Sequence, residues 1–338
     1  MQVKENFSLK KYNTFGIDVS TRYFIELTTD SEIENFIKEN PYKTLPILIL
    51  GGGSNILFTK NFDGIILKIE TKGIEIIREN DESIFVKAKA GELWNDLVNF
   101  CVEKNFGGIE NLALIPGCVG ASPIQNIGAY GSEMKDTFFE LEAIDILHGQ
   151  RKIFSQQECR LAYRNSIFKN ELKGKYIILS VTFKLQKNPI LNISYSALSK
   201  ELQKLNLEKP TVAAVRDTVC KIRESKLPDP KIIGNAGSFF KNPSVTVDKY
   251  NELKNKFPEI VAYPAEDGNY KLAAGWMIDQ CGWKGKRKEN AGVHEKQALV
   301  MVNLGNASGN EILDLAHEVK VSVKNMFDVD IEFEVNII

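Results

Sequence analysis

The chain has 338 residues, 43% of them hydrophobic and 26% charged, with a formal net charge of -1. That is the balance of a soluble globular protein of about two domains, and it provides no basic field to hold a nucleic acid. The N-terminus has no apolar targeting region. The longest apolar run, residues 45–50, contains Pro46 and is far too short to cross a bilayer, so a cytoplasmic location without a membrane partner is expected. Five scattered cysteines, odd in number and without a C-x-x-C pair, indicate neither a disulfide framework nor a zinc site. They are expected as reduced thiols in or near the core. The three histidines share no metal spacing, so no metal is expected.

In chain order, LPILIL at 45–50, GIILKIE, IEIIRE and IFVKAKA are short β-type runs bounded by Gly, Asn and Asp. Leu93, Leu97 and Phe100 predict a helix over 92–103. Strands are predicted over 141–147 and 176–185. The second half is more helical. Val212, Val215, Val219 and Ile222 share one face of a helix over 211–224, and Ser308 with Glu311 has capping-box spacing ahead of a helix carrying Ile312, Ala316, Val319 and Val323. VDIEFEVNII closes the chain as an alternating strand that puts Glu334 on its non-core face. Boundaries fit Asn188-Pro189 or Lys209-Pro210. The fold class is α+β.

Three segments carry candidate chemistry. Gly51-Gly52-Gly53-Ser54-Asn55 follows a buried-type strand; successive glycines allow close backbone approach and an anion-binding nest, though a glycine-rich turn fits the pentapeptide equally well. Residues 115–131, IPGCVGASPIQNIGAYG, are a charge-free run of small residues, amides and hydroxyls, read as a long loop able to wrap a pyrophosphate. In GNAGSFFKNP, Ser238 lacks the G-x-S-x-G spacing of a nucleophile elbow because Phe240 stands where glycine is needed.

GGGSNILF, IPGCVGASPIQNIGAYG, YRNSIFK, KLPDPKIIGNAGSFFKNP, AAGWMIDQCGWKG and a terminal FEV occur in this order. Together they resemble the UDP-N-acetylenolpyruvoylglucosamine reductase (MurB) flavoenzyme family over nearly the whole chain. ISYSAL and the Tyr263-Pro264 pair resemble the subtype with an extra substrate-covering loop. The resemblance implies a p-cresol methylhydroxylase-like FAD-binding domain of two α+β subdomains over 1–188, with the terminal strand 329–338 returning towards the active site. A covering loop and linker over 189–209 and a C-terminal α+β substrate domain over 210–328 would follow. It implies noncovalent FAD, NADPH as hydride donor, a UDP-sugar enolpyruvyl ether as substrate, and a monomer.

The same resemblance implies the site residues. Arg164 would stabilise the enolate that forms on the substrate, Glu334 would be the catalytic carboxylate beside it, and Ser238 would protonate C2. Gly51, Gly52, Gly53, Ser54, Asn55 and Ile56 would bind the cofactor, as would Pro116, Gly117, Ser122, Pro123, Gln125, Asn126, Gly128 and Ala129. Tyr195, Lys226, Asn242, Tyr263 and Gln297 would contact the UDP-sugar. One departure stands out: Asn336 occupies a position where the family commonly has arginine. Two other readings compete. An FAD-linked oxidase of the same superfamily would often tether its flavin through histidine or cysteine; Cys118 lies in the loop, but no tether histidine is evident. A non-catalytic nucleotide-binding module would carry no flavin.

Overall fold

The computed structural model describes residues 2–265 and 268–338. Their contacts divide into two compact units. The first comprises residues 2–7, Thr21–Gly52 and Asp63–Ser225; the second comprises Ser8–Ser20, Gly53–Phe62 and Lys226–Ile338.

The first unit holds a five-stranded antiparallel sheet in the order Arg151–Ser155, Phe138–Asp145, Tyr176–Gln186, Ser83–Lys89, Ile74–Glu79. The central strand, Tyr176–Gln186, is buried without a break from Ile177 to Phe183, as its near-continuous apolar run requires. The helix Trp94–Glu103 buries Trp94, Leu97, Val98 and Cys101 on one face. Trp94 Nε1 donates to the Leu112 carbonyl at 2.9 Å, and its ring meets Phe183 edge-on. A second sheet orders Val3–Ser8, Ser20–Leu27, Phe62–Ile69 and Ile47–Leu50. Its last pair is parallel, with Ile47 opposite Ile65 and Leu50 opposite Lys68. That strand ends directly on the glycine run at 51–53.

All five cysteines are free thiols, with Cys101, Cys118 and Cys159 buried. Loss of hydration pushes the Cys101 and Cys159 thiols up to about 12, which makes them inert core residues.

Glu110 is a carboxylate at 3% exposure in this core. Burial raises its pKa above the ordinary 4.5, against the pull of the Gly108 N–H, which donates to Oε2 at 2.6 Å. A carboxyl whose folded pKa is raised binds its proton more tightly when folded. Its contribution to stability is therefore full below the unfolded pKa and is lost as pH rises from there through the folded value. Glu110→Gln keeps an acceptor for Gly108 and removes the titration. The melting temperature is expected to fall less steeply in the variant as pH rises above the ordinary 4.5; parallel curves would show that Glu110 adds no pH dependence.

The second unit contains a four-stranded sheet, Gly234–Ser238, Val300–Asn303, Ala291–Val293 and Arg287–Lys288, and a three-stranded one, Ser244–Val245, Tyr270–Leu272 and Ala262–Pro264. Ser308 and Glu311 close the capping box read from sequence, opening the helix Gly309–Phe327. Ile312, Leu315, Ala316, Val319, Val323 and Phe327 form its buried stripe. The expected ten-residue terminal strand is shorter: regular pairing is confined to Asn336–Ile337, parallel to Ile56–Leu57. The segment changes neighbours along its length. Lys241 and Glu332, then Phe239 and Glu334, share backbone bonds first; Asn55 and Leu57 then accept from Asn336 and Ile338. Ile331 and Val335 are buried, whereas Phe333 and Ile337 are only half-buried.

Candidate functional site

The two glycine-rich segments meet in the first unit. A Cβ placed on Gly52 would lie 2.8 Å from the Gly117 Cα, closer than such atoms approach, so the backbones touch where neither carries a side chain. Gly51 lies against the Cys118 side chain and Ala121. In the second unit Gly53 has φ +64, and a Cβ there would sit 2.0 Å from the Tyr12 carbonyl oxygen. Ser54 and Asn55 are half-buried, and Ile56 is buried in its short strand. Side-chain-free backbone without formal charge fits a group that needs close main-chain approach and N–H donors, as a dinucleotide pyrophosphate does.

The 115–131 run has more structure than a loop. It contains the 3-10 turn Val119–Ala121 and the strand Gly128–Ala129, which pairs with Ser132–Glu133 across Tyr130-Gly131. Ser122, 1% exposed, donates its hydroxyl proton to the Val119 carbonyl at 2.7 Å. Asn126 is fully buried. Its Nδ2 donates to Glu133 and to the Ala162 carbonyl, and its Oδ1 accepts from the Lys135 N–H. The Asn126 side chain therefore stitches the segment together. Pro123 is buried, while Gln125, Gly128 and Ala129 are half-buried and Pro116 is exposed.

Arg164 sits at the tip of a tight turn in which Ala162 and Asn165 exchange backbone bonds. Its φ is +50, uncommon for a residue with a side chain. The turn is sewn to the glycine-rich segment by Asn126 and by the Ser166 hydroxyl, which donates to the Ile124 carbonyl at 2.6 Å. The Arg164 guanidinium donates to the Gly128 carbonyl at 2.8 Å. A fixed cation is thus held against the candidate cofactor segment, in a backbone conformation that surrounding bonds enforce.

In the second unit Ser238 ends the strand Gly234–Ser238, opposite Val300, after a register shift between Asn235 and Ser238. Such irregularities re-aim a side chain. Asn235, 2% exposed, holds the approach: its Nδ2 donates to the Pro228 and Ile233 carbonyls, and its Oδ1 accepts from the Gly237 N–H at 2.9 Å. The neighbouring Phe239 carbonyl accepts from the Glu334 N–H at 2.8 Å, and Phe240 bridges to Phe333. Ser238 and Glu334 therefore lie on adjoining segments, although 96 positions (334 − 238) separate them in sequence. Asn55 donates to the Glu334 carbonyl at 3.3 Å, and Asn336 donates to the Asn55 carbonyl from both its main chain and its side chain. Asn336 is thus engaged with the segment after the glycine run.

Asn242 and Gln297 converge on the first turn of the helix Ala274–Gln280. Asn242 Oδ1 accepts from the Ala274 N–H, and Gln297 Oε1 lies where a Cβ on Gly275 would meet it at 3.2 Å. Tyr263, 45% exposed, is on the strand opposite Lys271, and Lys226 closes the helix Val212–Lys226 at the surface. Tyr195, in the first unit, caps the helix Ser196–Gln203, whose Leu198 and Leu202 anchor in the core. Sequence reading missed Asn111, Asn192 and Asn235; Asn111, with Glu110, was marked only by two polar residues inside the apolar run 109–115. Among the described residues no cluster of metal-ligating side chains is found, and no helix is long and apolar enough to cross a membrane.

A family model described as FAD binding domain matches residues 21–152. It spans both glycine-rich segments. A model described as the C-terminal domain of UDP-N-acetylenolpyruvoylglucosamine reductase matches residues 229–338, the stretch holding Ser238 and Glu334. The UDP-N-acetylenolpyruvoylglucosamine reductase of Flavobacterium johnsoniae is 49% identical over 339 aligned residues, covering 100% of each chain. The chain belongs to the UDP-N-acetylenolpyruvoylglucosamine reductase family. The Bdellovibrio bacteriovorus member is 45% identical over 99% of each chain. The crystal structure of the Thermus caldophilus MurB enzyme covers 100% of this chain and 99% of its own, with a TM-score of 0.70 at 22% identity, and so bears on the fold alone. Membership of the reductase family makes the chain an FAD-dependent oxidoreductase of α+β fold.

Proposed function

We propose that Arg164, Ser238 and Glu334 act on the enolpyruvyl group of a UDP-N-acetylglucosamine ether, in its NADPH-dependent reduction to UDP-N-acetylmuramate. The observation that carries this reading is the seating of Arg164 on the Gly128 carbonyl, within the segment whose backbone suits FAD. Bound FAD supplies the relay of hydride from NADPH to C3 of the substrate. The protein's part is then electrostatic and proton-transferring. As hydride reaches C3, negative charge spreads over C2 and the carboxylate. A guanidinium already fixed in place stabilises that charge without reorganising. Glu334 is on the segment bonded to Phe239, next to Ser238, and is the catalytic carboxylate in this reading. The Ser238 hydroxyl gives its proton to C2, and the transfer completes the saturated lactyl ether.

Residues 51–56, 116–117, 122–123, 125–126 and 128–129 hold the cofactor in this reading. Lys226, Asn242, Tyr263 and Gln297 meet the diphosphate and sugar. The protein acts in the cytoplasm as a monomer. Tyr195 covers the bound substrate, excluding water and orienting it. Tyr195→Ala is expected to lower the apparent second-order rate of the substrate half-reaction about tenfold, and to slow flavin reduction by NADPH far less. Stopped-flow traces of the two halves check this, and equal slowing of both would contradict a covering role.

A further inference from the structure

The Tyr130-Gly131 turn is where the glycine-rich segment meets the chain leading to Tyr195. Tyr130 has φ +49 and Gly131 φ +83, both left-handed, between strands joined by these two residues alone. That is the geometry of a two-residue type I′ hairpin. Glycine adopts it freely, but a tyrosine does so only where its surroundings hold it.

The holding groups are two amides. Asn111, 1% exposed, donates from Nδ2 to the Tyr130 carbonyl at 2.9 Å and to the Asn192 carbonyl at 2.8 Å. Both partners are carbonyl oxygens, so only the NH2 end of the amide can serve. Asn192 reaches back: its Nδ2 donates to the Gly131 carbonyl at 2.8 Å, and its Oδ1 accepts from the Ser194 hydroxyl at 2.7 Å. Both carbonyls of the turn and the residues just before Tyr195 are therefore fixed together. The Tyr195 ring lies edge-on to Tyr130, with centroids 5.3 Å apart and planes at 85°. The clamp grips the turn beyond Ala129, where the residues read as cofactor-binding end.

We propose that Asn111 and Asn192 are positioning residues for the substrate half-reaction, forming an amide clamp that sets the place of Tyr195. The proposal rests on the reading of Tyr195 as the substrate cover. It is tested on the full-length, FAD-loaded enzyme with Asn192→Ala, Asn111→Leu, Tyr195→Ala and the double variant Asn192→Ala/Tyr195→Ala. Asn192 is half-buried, so its truncation is safe for folding even where Asn111→Leu is not. Asn192→Ala is expected to raise the substrate concentration that half-saturates flavin reoxidation about tenfold, with little change in the saturating rate, as for a loss of uniform binding. In the Tyr195→Ala background the same change should add almost nothing, because both act through one ring. Losses that multiply would overturn the clamp while leaving Tyr195 as the cover. An unchanged half-saturation in Asn192→Ala would overturn it directly. A silent Tyr195→Ala would instead remove the covering role, and the clamp's purpose with it.

Discussion

Replacing Ser238 with alanine is expected to leave flavin reduction by NADPH nearly intact and to slow reoxidation by the enolpyruvyl substrate by a factor on the order of 10² or more, the range of general-acid catalysis. The two halves separate because protonation of C2 is required only when the substrate is reduced. Substrate affinity should change little, since an interaction made only in the transition state lowers turnover without weakening ground-state binding. The structure makes the substitution clean. Ser238 is half-buried, and the approach to it is held by the Asn235 amide and the Gly237 N–H, neither of which needs the hydroxyl. Ser238→Cys keeps a transferable proton in a similar place and should recover part of the lost rate. A serine that served only packing would lower both halves together as folded enzyme is lost. Normal reoxidation in Ser238→Ala would move the proton to Glu334 or to water.

Gly52→Val should yield folded protein with most of its FAD lost. The added side chain begins 2.8 Å from the Gly117 Cα, a backbone atom that cannot swing aside as a side-chain tip would. The backbone at Gly117 must therefore shift, and the candidate cofactor segment with it. The flavin-to-protein absorbance ratio after purification measures the effect, and circular dichroism shows whether the chain is folded. Gly52→Ala should fall between the wild type and the valine variant. Full flavin occupancy in folded Gly52→Val would remove the close approach at Gly52 from the account of cofactor binding.

Elements whose signal is local were legible. The apolar run that became Tyr176–Gln186, the helix over 211–224 and the Ser308/Glu311 capping box are each written in a few neighbouring residues. Segments that take partners from several places were not. The terminal alternation is real, but backbone bonds pass from Phe239 to Asn55 within a few residues, so a long strand was expected where a two-residue one forms. The 115–131 run looked structureless because its hairpin turns on a tyrosine with positive φ, for which sequence has no marker. The catalytic candidates came from motif resemblance, not from periodicity: a lone arginine and a lone serine carry no local sign of the turn or bulge that aims them. Asn111 and Asn192 escaped notice because a clamping amide is recognised only once both of its carbonyl partners are in place.

The most direct test is an anaerobic absorbance spectrum of the purified protein, first with NADPH and then with UDP-N-acetylglucosamine enolpyruvate. The account predicts a flavin spectrum that is released on denaturation, bleaches with NADPH and recovers when the enolpyruvyl ether is added, with UDP-N-acetylmuramate formed in proportion. A protein that bleaches with NADPH but stays reduced in the presence of that substrate would contradict it.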